Sequence, residues 1–101
     1  MALIVLTQNP GELLRQIKTE ISMDNVDAWS FDSKGNFTHT YENWRNKAWF
    51  KPVVEDGELR FEIVSNDNET ILKYTYGIYH GRFAEMLLSC FDCKIIATPQ
   101  N

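Results

Sequence analysis

The chain has 101 residues, of which 44% are hydrophobic, 13% aromatic and 24% charged, and its formal net charge is -4. Aliphatic and aromatic residues this frequent exclude a disordered chain, and every apolar run is shorter than the ~18 residues of a membrane-spanning helix. The length allows one hydrophobic core, so we expect a single domain over residues 1–101, and the acidic balance argues against duplex DNA as its main partner.

Two features of the chain indicate a cytoplasmic protein. The opening residues 1–6 carry no cationic region, and their apolar stretch is too short for a secretory signal peptide. Cys90 and Cys93 are too few for the disulfide framework on which small secreted domains depend. We therefore expect a cytoplasmic protein that has no membrane partner.

The first third of the chain predicts a strand followed by an amphipathic helix. Residues 1–6 are typical of a strand, and Asn9 with Pro10 is typical of a helix start, with Glu12 at the capping-box position. An apolar stripe at helical spacing then predicts a helix over about residues 10 to 23 that packs one face on a sheet. Its members are Leu13, Leu14, Ile17 and Ile21.

Two hairpins follow, and the chemistry of their turns predicts their registers. The sequence over 32–35 predicts a type I turn closed by a bulge, with Asp32 opposite Asn36. Asp56-Gly57 predicts a tight two-residue turn. The expected cross-strand pairs are Trp29 with His39, Phe31 with Phe37, Phe50 with Ile63, Pro52 with Phe61, Val54 with Leu59, Lys51 with Glu62, and Val53 with Arg60. Because proline lacks an N–H, residues 49–55 should form an edge strand or one broken by a bulge.

The remaining third predicts a turn at 66–68, a further antiparallel strand at 71–76, a helix after Gly77 and a short strand over 94–98. The helical stripe comprises Tyr79, Phe83, Met86, Leu87 and Cys90. This order of elements predicts an α+β fold, a two-layer sandwich with a mainly antiparallel sheet of about five strands and both helices on one face.

One candidate binding surface is a patch in which aromatic and cationic residues alternate. It consists of Trp44, Arg45, Lys47, Trp49 and Lys51, whereas residues 55–69 are strongly acidic. Trp and Arg dominate protein interfaces, and their alternation also suits stacking on single-stranded nucleic acid. The alternative is that one tryptophan belongs to the core and the cations are solvated. Trp49, Val53 and Val64 would project from the outer sheet face, which a homodimer would cover.

A second candidate is a pocket or anion site near the second helix. Its residues are Trp29, His39, Tyr76, His80 and Arg82, with Tyr74 nearby. Gly77 and Gly81 beside a cation would suit an anion held at a helix N-terminus, or simply a turn that needs glycine's backbone freedom.

The chain shows no complete catalytic or metal-binding motif. Cys90 and Cys93 have the spacing of half a zinc or redox site, but a helix C-terminus disfavours a thiolate. His39 and His80 would serve a small phosphodiesterase as acid and base, yet no nucleophile or phosphate loop accompanies them. We therefore expect a non-catalytic binding or interaction protein, using the patch and the outer sheet face, without a cofactor or metal. The alternatives are a small-ligand-binding domain with an aromatic pocket and the histidine phosphodiesterase.

Overall fold

The computed structural model describes residues 2–65 and 73–98, with side chains described as far as residue 93. The elements in chain order are β1 (Ala2–Leu6), α1 (Pro10–Ser22), β2 (Trp29–Phe31), β3 (Phe37–His39), β4 (Trp49–Glu55), β5 (Glu58–Val64), α2 (Lys73–Phe91) and β6 (Lys94–Thr98). The six strands form one sheet in the order β2-β3-β4-β5-β1-β6, and every neighbouring pair is antiparallel. The predicted α+β class is confirmed, with six strands where about five were expected.

Both hairpin registers are confirmed because each turn adopts the geometry that its residues favour. In the first turn Asp32 accepts hydrogen bonds at Oδ1 from the N–H groups of Lys34 and Asn36, and Gly35 has φ of 83°. Trp29 then lies opposite His39. In the second hairpin the seven pairs run from Glu55 with Glu58 to Trp49 with Val64, and Gly57 closes the turn at φ of 77°. The register therefore follows from local backbone requirements.

The prediction of an edge strand at 49–55 holds for only part of β4. The strand lies between β3 and β5, but its pairing with β3 is confined to Phe37 with Phe50. Pro52 comes after that pair, where its missing N–H interrupts no ladder bond to β3. The β2–β3 hairpin is thus joined to the sheet at one end only.

Helix α1 starts at Pro10 as predicted, but its predicted capping is wrong. The Asn9 side chain makes no capping hydrogen bond, and the Asn9 carbonyl accepts the first helical bond from Leu13 N–H at 3.0 Å. Glu12 pairs with Arg15 on the solvent side instead of reaching back to the cap. Ile17 is the fully buried residue of the helix.

Helix α2 begins earlier in the chain than predicted. The prediction of a strand over 71–76 is wrong for residues 73–76, which are helical. Residues 71 and 72, and the turn expected at 66–68, lie outside the described residues. Gly77 lies within the helix on its exposed side. The stripe facing the sheet already includes Tyr76, which is followed at helical spacing by Tyr79, His80 and Phe83. Packing of these rings overrides the strand preference of the tyrosines and threonine.

The core lies between the two helices and one face of the sheet, an arrangement compatible with the predicted layering. Phe83 of α2 is fully buried and contacts rings from four strands, including that of Phe37 in β3 at 5.6 Å. Its ring centroid lies 4.5 Å from that of Phe50, 4.8 Å from Phe61 and 4.8 Å from Trp29. Ile17 of α1 belongs to the same cluster. Val54 pairs with the fully buried Leu59 but is itself 52% exposed, and it lies beside the turn that closes the hairpin.

In the described part of the chain, no helix combines the length and apolar character needed to cross a membrane.

Candidate functional site

A pocket of about 230 Å³ opens beside α2, where the chain enters β2 and leaves β3. Its lining comprises Val26, Asp27, Ala28, Trp29, His39, Tyr41, Arg82, Glu85, Met86, Ser89 and Cys90. We call it the His39 pocket. The structure thereby brings together three residues of the second predicted candidate, namely Trp29, His39 and Arg82.

The floor of the His39 pocket is formed by buried rings and aliphatic side chains. Trp29 and His39 are a cross-strand pair whose centroids lie 5.0 Å apart in an edge arrangement. The Tyr41 N–H donates to His39 Nδ1 at 3.1 Å, which leaves the proton of the neutral ring on Nε2. His39 thus offers an N–H donor beside the apolar surfaces of Val26 and Met86.

The rim carries exposed polar and charged groups. Tyr41 donates its hydroxyl hydrogen to Asp27 Oδ2 at 2.8 Å. Arg82 and Glu85 lie three positions apart on α2, a spacing at which such residues often pair. Among the described residues, however, Asp27, Arg82 and Glu85 form no ion pair with one another or with any other group. The pocket therefore has one cation and two carboxylates around its mouth.

The electrostatics of the pocket keep His39 neutral at pH 7. Burial lowers the pKa of His39, the Arg82 guanidinium lowers it further, and the Asp27 carboxylate partly opposes these effects. The hydrogen bond to Asp27 raises the pKa of Tyr41, because the bond favours the protonated phenol. His39 Nε2 and Arg82 are therefore donors, and the carboxylates are acceptors.

The backbone is strained at the edge of the pocket. Ala28 has φ of 73°, in the left-handed region that costs a residue with a Cβ roughly 1–2 kcal/mol. The Ala28 carbonyl accepts a hydrogen bond from Thr40 N–H at 2.9 Å, which ties the residues before β2 to those after β3. Strain of this kind concentrates at binding sites, where it holds side chains in fixed positions.

Two residues of the same predicted candidate, Tyr76 and His80, lie elsewhere. His80 is stacked on Phe50 at 5.3 Å and meets Tyr76 edge-on at 4.6 Å. Both ring nitrogens of His80 are buried and have no hydrogen-bond partner among the described residues, and burial lowers its pKa to about 4. Gly77 and Gly81 lie inside α2, so they do not present the free N–H groups of a helix start.

The two histidines are not brought to one place. Ring contacts lead from His39 to Tyr79 at 6.3 Å, from Tyr79 to Phe50 at 6.2 Å, and only then to His80. Because two aromatic residues separate them, the arrangement gives no support to a shared acid–base reaction.

The structure divides the aromatic–cationic patch between different environments. Trp44 is half-buried against the core, its ring lies 5.5 Å from that of Tyr74, and its carbonyl accepts a hydrogen bond from the Tyr79 hydroxyl. Trp49 is half-buried opposite Val64. The cations Arg45, Lys47 and Lys51 are exposed.

The cysteines have no special environment in the described structure. Both are free; Cys90 is exposed at the pocket, and burial raises the pKa of Cys93, with Asp92 adding to that effect. Within residues 2–65 and 73–93, no three His, Cys, Asp or Glu side chains are grouped so as to hold a metal ion.

Sequence reasoning did not place Asp27, Tyr41, Glu85 or Cys90 in the site. For Glu85 a signal existed, since it follows Arg82 by three residues and shares that side of a helix. The left-handed Ala28 that directs the preceding residues to the pocket leaves no signal, because alanine rarely adopts this conformation.

Comparisons with family models, with curated proteins and with solved structures yielded no match.

Proposed function

We propose that this protein is a non-catalytic binding domain whose ligand is a small molecule held in the His39 pocket. The observation that carries the proposal is the grouping of Trp29, His39 and Arg82 around one cavity of about 230 Å³. Small-ligand sites typically combine an apolar floor with a few convergent polar groups, as this pocket does. The cytoplasmic location predicted from the sequence is part of the same proposal.

The test is a titration of the ¹⁵N-labelled protein with a set of small polar compounds, followed by two-dimensional NMR. The three tryptophans give three indole signals, of which that of Trp29 reports the pocket. We expect at least one compound to shift the Trp29 signal in a saturable way. Arg82→Gln should weaken that binding about tenfold, as expected for loss of a charged hydrogen bond.

Arg45→Gln is the matched control, because it makes the same change at an exposed arginine of the patch. It should leave the affinity unchanged. If no compound saturates the Trp29 signal, or if Arg45→Gln weakens binding as much as Arg82→Gln, the proposed site is wrong.

A second candidate function, contact with a protein or a second copy of the chain, is favoured by the outer sheet face. Trp49, Val53 and Val64 lie there half-buried, on the side opposite the core. An ion cluster divides this face, since Arg60 lies 3.2 Å from both Glu55 and Glu58 and 3.9 Å from Glu62. We rank this face below the His39 pocket as a candidate binding site, because the centres of protein interfaces contain few charged residues.

Light scattering after size-exclusion chromatography tests this second candidate. A homodimer that Val53→Lys converts to a monomer would support this candidate. If the parent protein is monomeric at about 200 μM, the homodimer hypothesis is wrong. Single-stranded nucleic acid at the patch stays a prediction, which the Trp44 and Trp49 indole signals test in a titration with oligonucleotides.

A further inference from the structure

We infer that the His39 pocket binds a free amino acid with an apolar side chain, recognising its carboxylate and its ammonium group separately. This inference rests on the proposed function, and it specifies the chemical class of the ligand.

Charged side chains of both signs lie at the rim of the His39 pocket. Arg82 supplies a guanidinium, whereas Asp27 and Glu85 supply carboxylates, and all three are exposed. No ion pair joins these three residues in the described structure, although they line one small cavity. A ligand bearing both signs of charge would bridge the rim, with its carboxylate on Arg82 and its ammonium on the acidic side.

The floor of the His39 pocket differs in character from its charged rim. Beneath the charged mouth lie Val26, Trp29 and Met86, all of which are buried. An amino acid presents its charged groups at one end and its side chain at the other. Its apolar side chain would cover these three residues while the charged end stays at the mouth, near water.

The size of the cavity also suits an amino acid. A volume of 230 Å³ equals about eight water molecules at roughly 30 Å³ each. Leucine has about nine non-hydrogen atoms and part of it would remain at the open rim. A single amino acid is therefore of a size that the cavity accommodates.

The experiment compares four probes by the shift of the Trp29 indole signal. Leucine carries both charges, leucinamide lacks the carboxylate, 4-methylpentanoate lacks the ammonium, and glycine lacks the side chain. We expect leucine to bind at least tenfold more tightly than each of the other three. Alanine, valine and methionine extend the series if the pocket prefers another side-chain length.

Two variants assign each end of the ligand. Arg82→Gln should weaken leucine binding about tenfold while changing leucinamide binding less than twofold. Glu85→Gln should weaken leucine binding while leaving 4-methylpentanoate unchanged. Arg45→Gln again serves as the control and should change nothing.

The outcomes separate this inference from the proposed function. If 4-methylpentanoate or leucinamide binds as tightly as leucine, or if other compounds bind the pocket and none of the amino acids does, the inference is wrong while the proposed function stands. If neither the amino acids nor any other compound shifts the Trp29 signal, both are wrong.

Discussion

His39 and His80 are both buried, yet the structure surrounds them differently. His39 accepts a hydrogen bond from Tyr41 N–H and lines a pocket with charged groups at its rim. His80 lies between the rings of Phe50 and Tyr76 with neither nitrogen hydrogen-bonded. One histidine serves as a polar group of a candidate site and the other as an aromatic core residue. Burial alone therefore does not distinguish the two histidines, whereas their polar neighbours do.

The largest expected effect comes from Phe83, which contacts both regions. Its ring packs on Trp29 at the pocket and on Phe50 beside His80. Phe83→Ala should lower the free energy of unfolding by about 3–5 kcal/mol, because it leaves a cavity in the centre of the aromatic layer. Urea denaturation measures this loss, and Phe83→Leu should lose only about 1–2 kcal/mol. If the free energy of unfolding falls by less than about 1 kcal/mol in the alanine variant, the packing of Phe83 on the two regions contributes little to stability.

The second effect is a pH dependence that arises mainly from His80. Its pKa is about 4 in the folded protein against 6.5 for the free side chain, so the unfolded chain binds more protons between these values. Stability is then fully present above pH 6.5 and declines as the pH falls toward 4, by about 2 kcal/mol between pH 7 and pH 5. Urea denaturation at several pH values measures this decline.

His80→Phe is the control for the pH dependence, because it keeps a ring on Phe50 and removes the titrating group. It should abolish most of the decline between pH 7 and pH 5, whereas His39→Phe should leave most of it. If the two variants behave in the opposite way, the assignment of the two histidines is reversed.

The third effect concerns the strained backbone of the pocket. Ala28→Gly should raise the free energy of unfolding by about 1 kcal/mol, since glycine adopts a positive φ without steric cost. Thermal and urea denaturation measure the gain. A destabilised Ala28→Gly variant would show that the Ala28 methyl group contributes more by packing than it costs in strain.

The smallest effect is expected at the rim. Tyr41→Phe removes the hydrogen bond to Asp27, but both residues are exposed, so stability should change by less than about 0.5 kcal/mol. The same denaturation experiment measures it. A larger loss would mean that the rim contributes to folding, which would weaken the contrast with the region around His80.

The parts of the fold that sequence predicted are those set by local chemistry. Asp32 and Gly35 determine one turn and Gly57 the other, and a turn fixes every pair in the hairpin that it closes. The strand at 71–76 could not be distinguished from a helix in the same way, because aromatic residues suit both. There the packing of Tyr79 and Phe83 on the sheet decided the outcome.

The candidate site was only partly predictable for a related reason. Trp29 and His39 could be paired from a turn, and Arg82 was noted for its charge, but their meeting depends on how α2 crosses the sheet. Tyr76 and His80 lie on the same helix and were expected in the same site, yet His80 stacks on Phe50 and Tyr76 packs against His80. Side-chain direction on a helix changes by about 100° per residue, so His80 and Arg82, two positions apart, lie on different sides of α2, one buried and the other exposed.

Because β3 pairs with β4 at a single position, the β2–β3 hairpin is held to the rest of the sheet mainly by the packing of its buried side chains. Native-state amide exchange should therefore show weaker protection in β2 and β3 than in β1 and β5, which are paired along their full lengths. Trp29 and His39 belong to that hairpin. A ligand bound in the His39 pocket would then slow amide exchange in these two strands first. The protection of these amides would therefore measure ligand binding even for a compound without a spectroscopic signal.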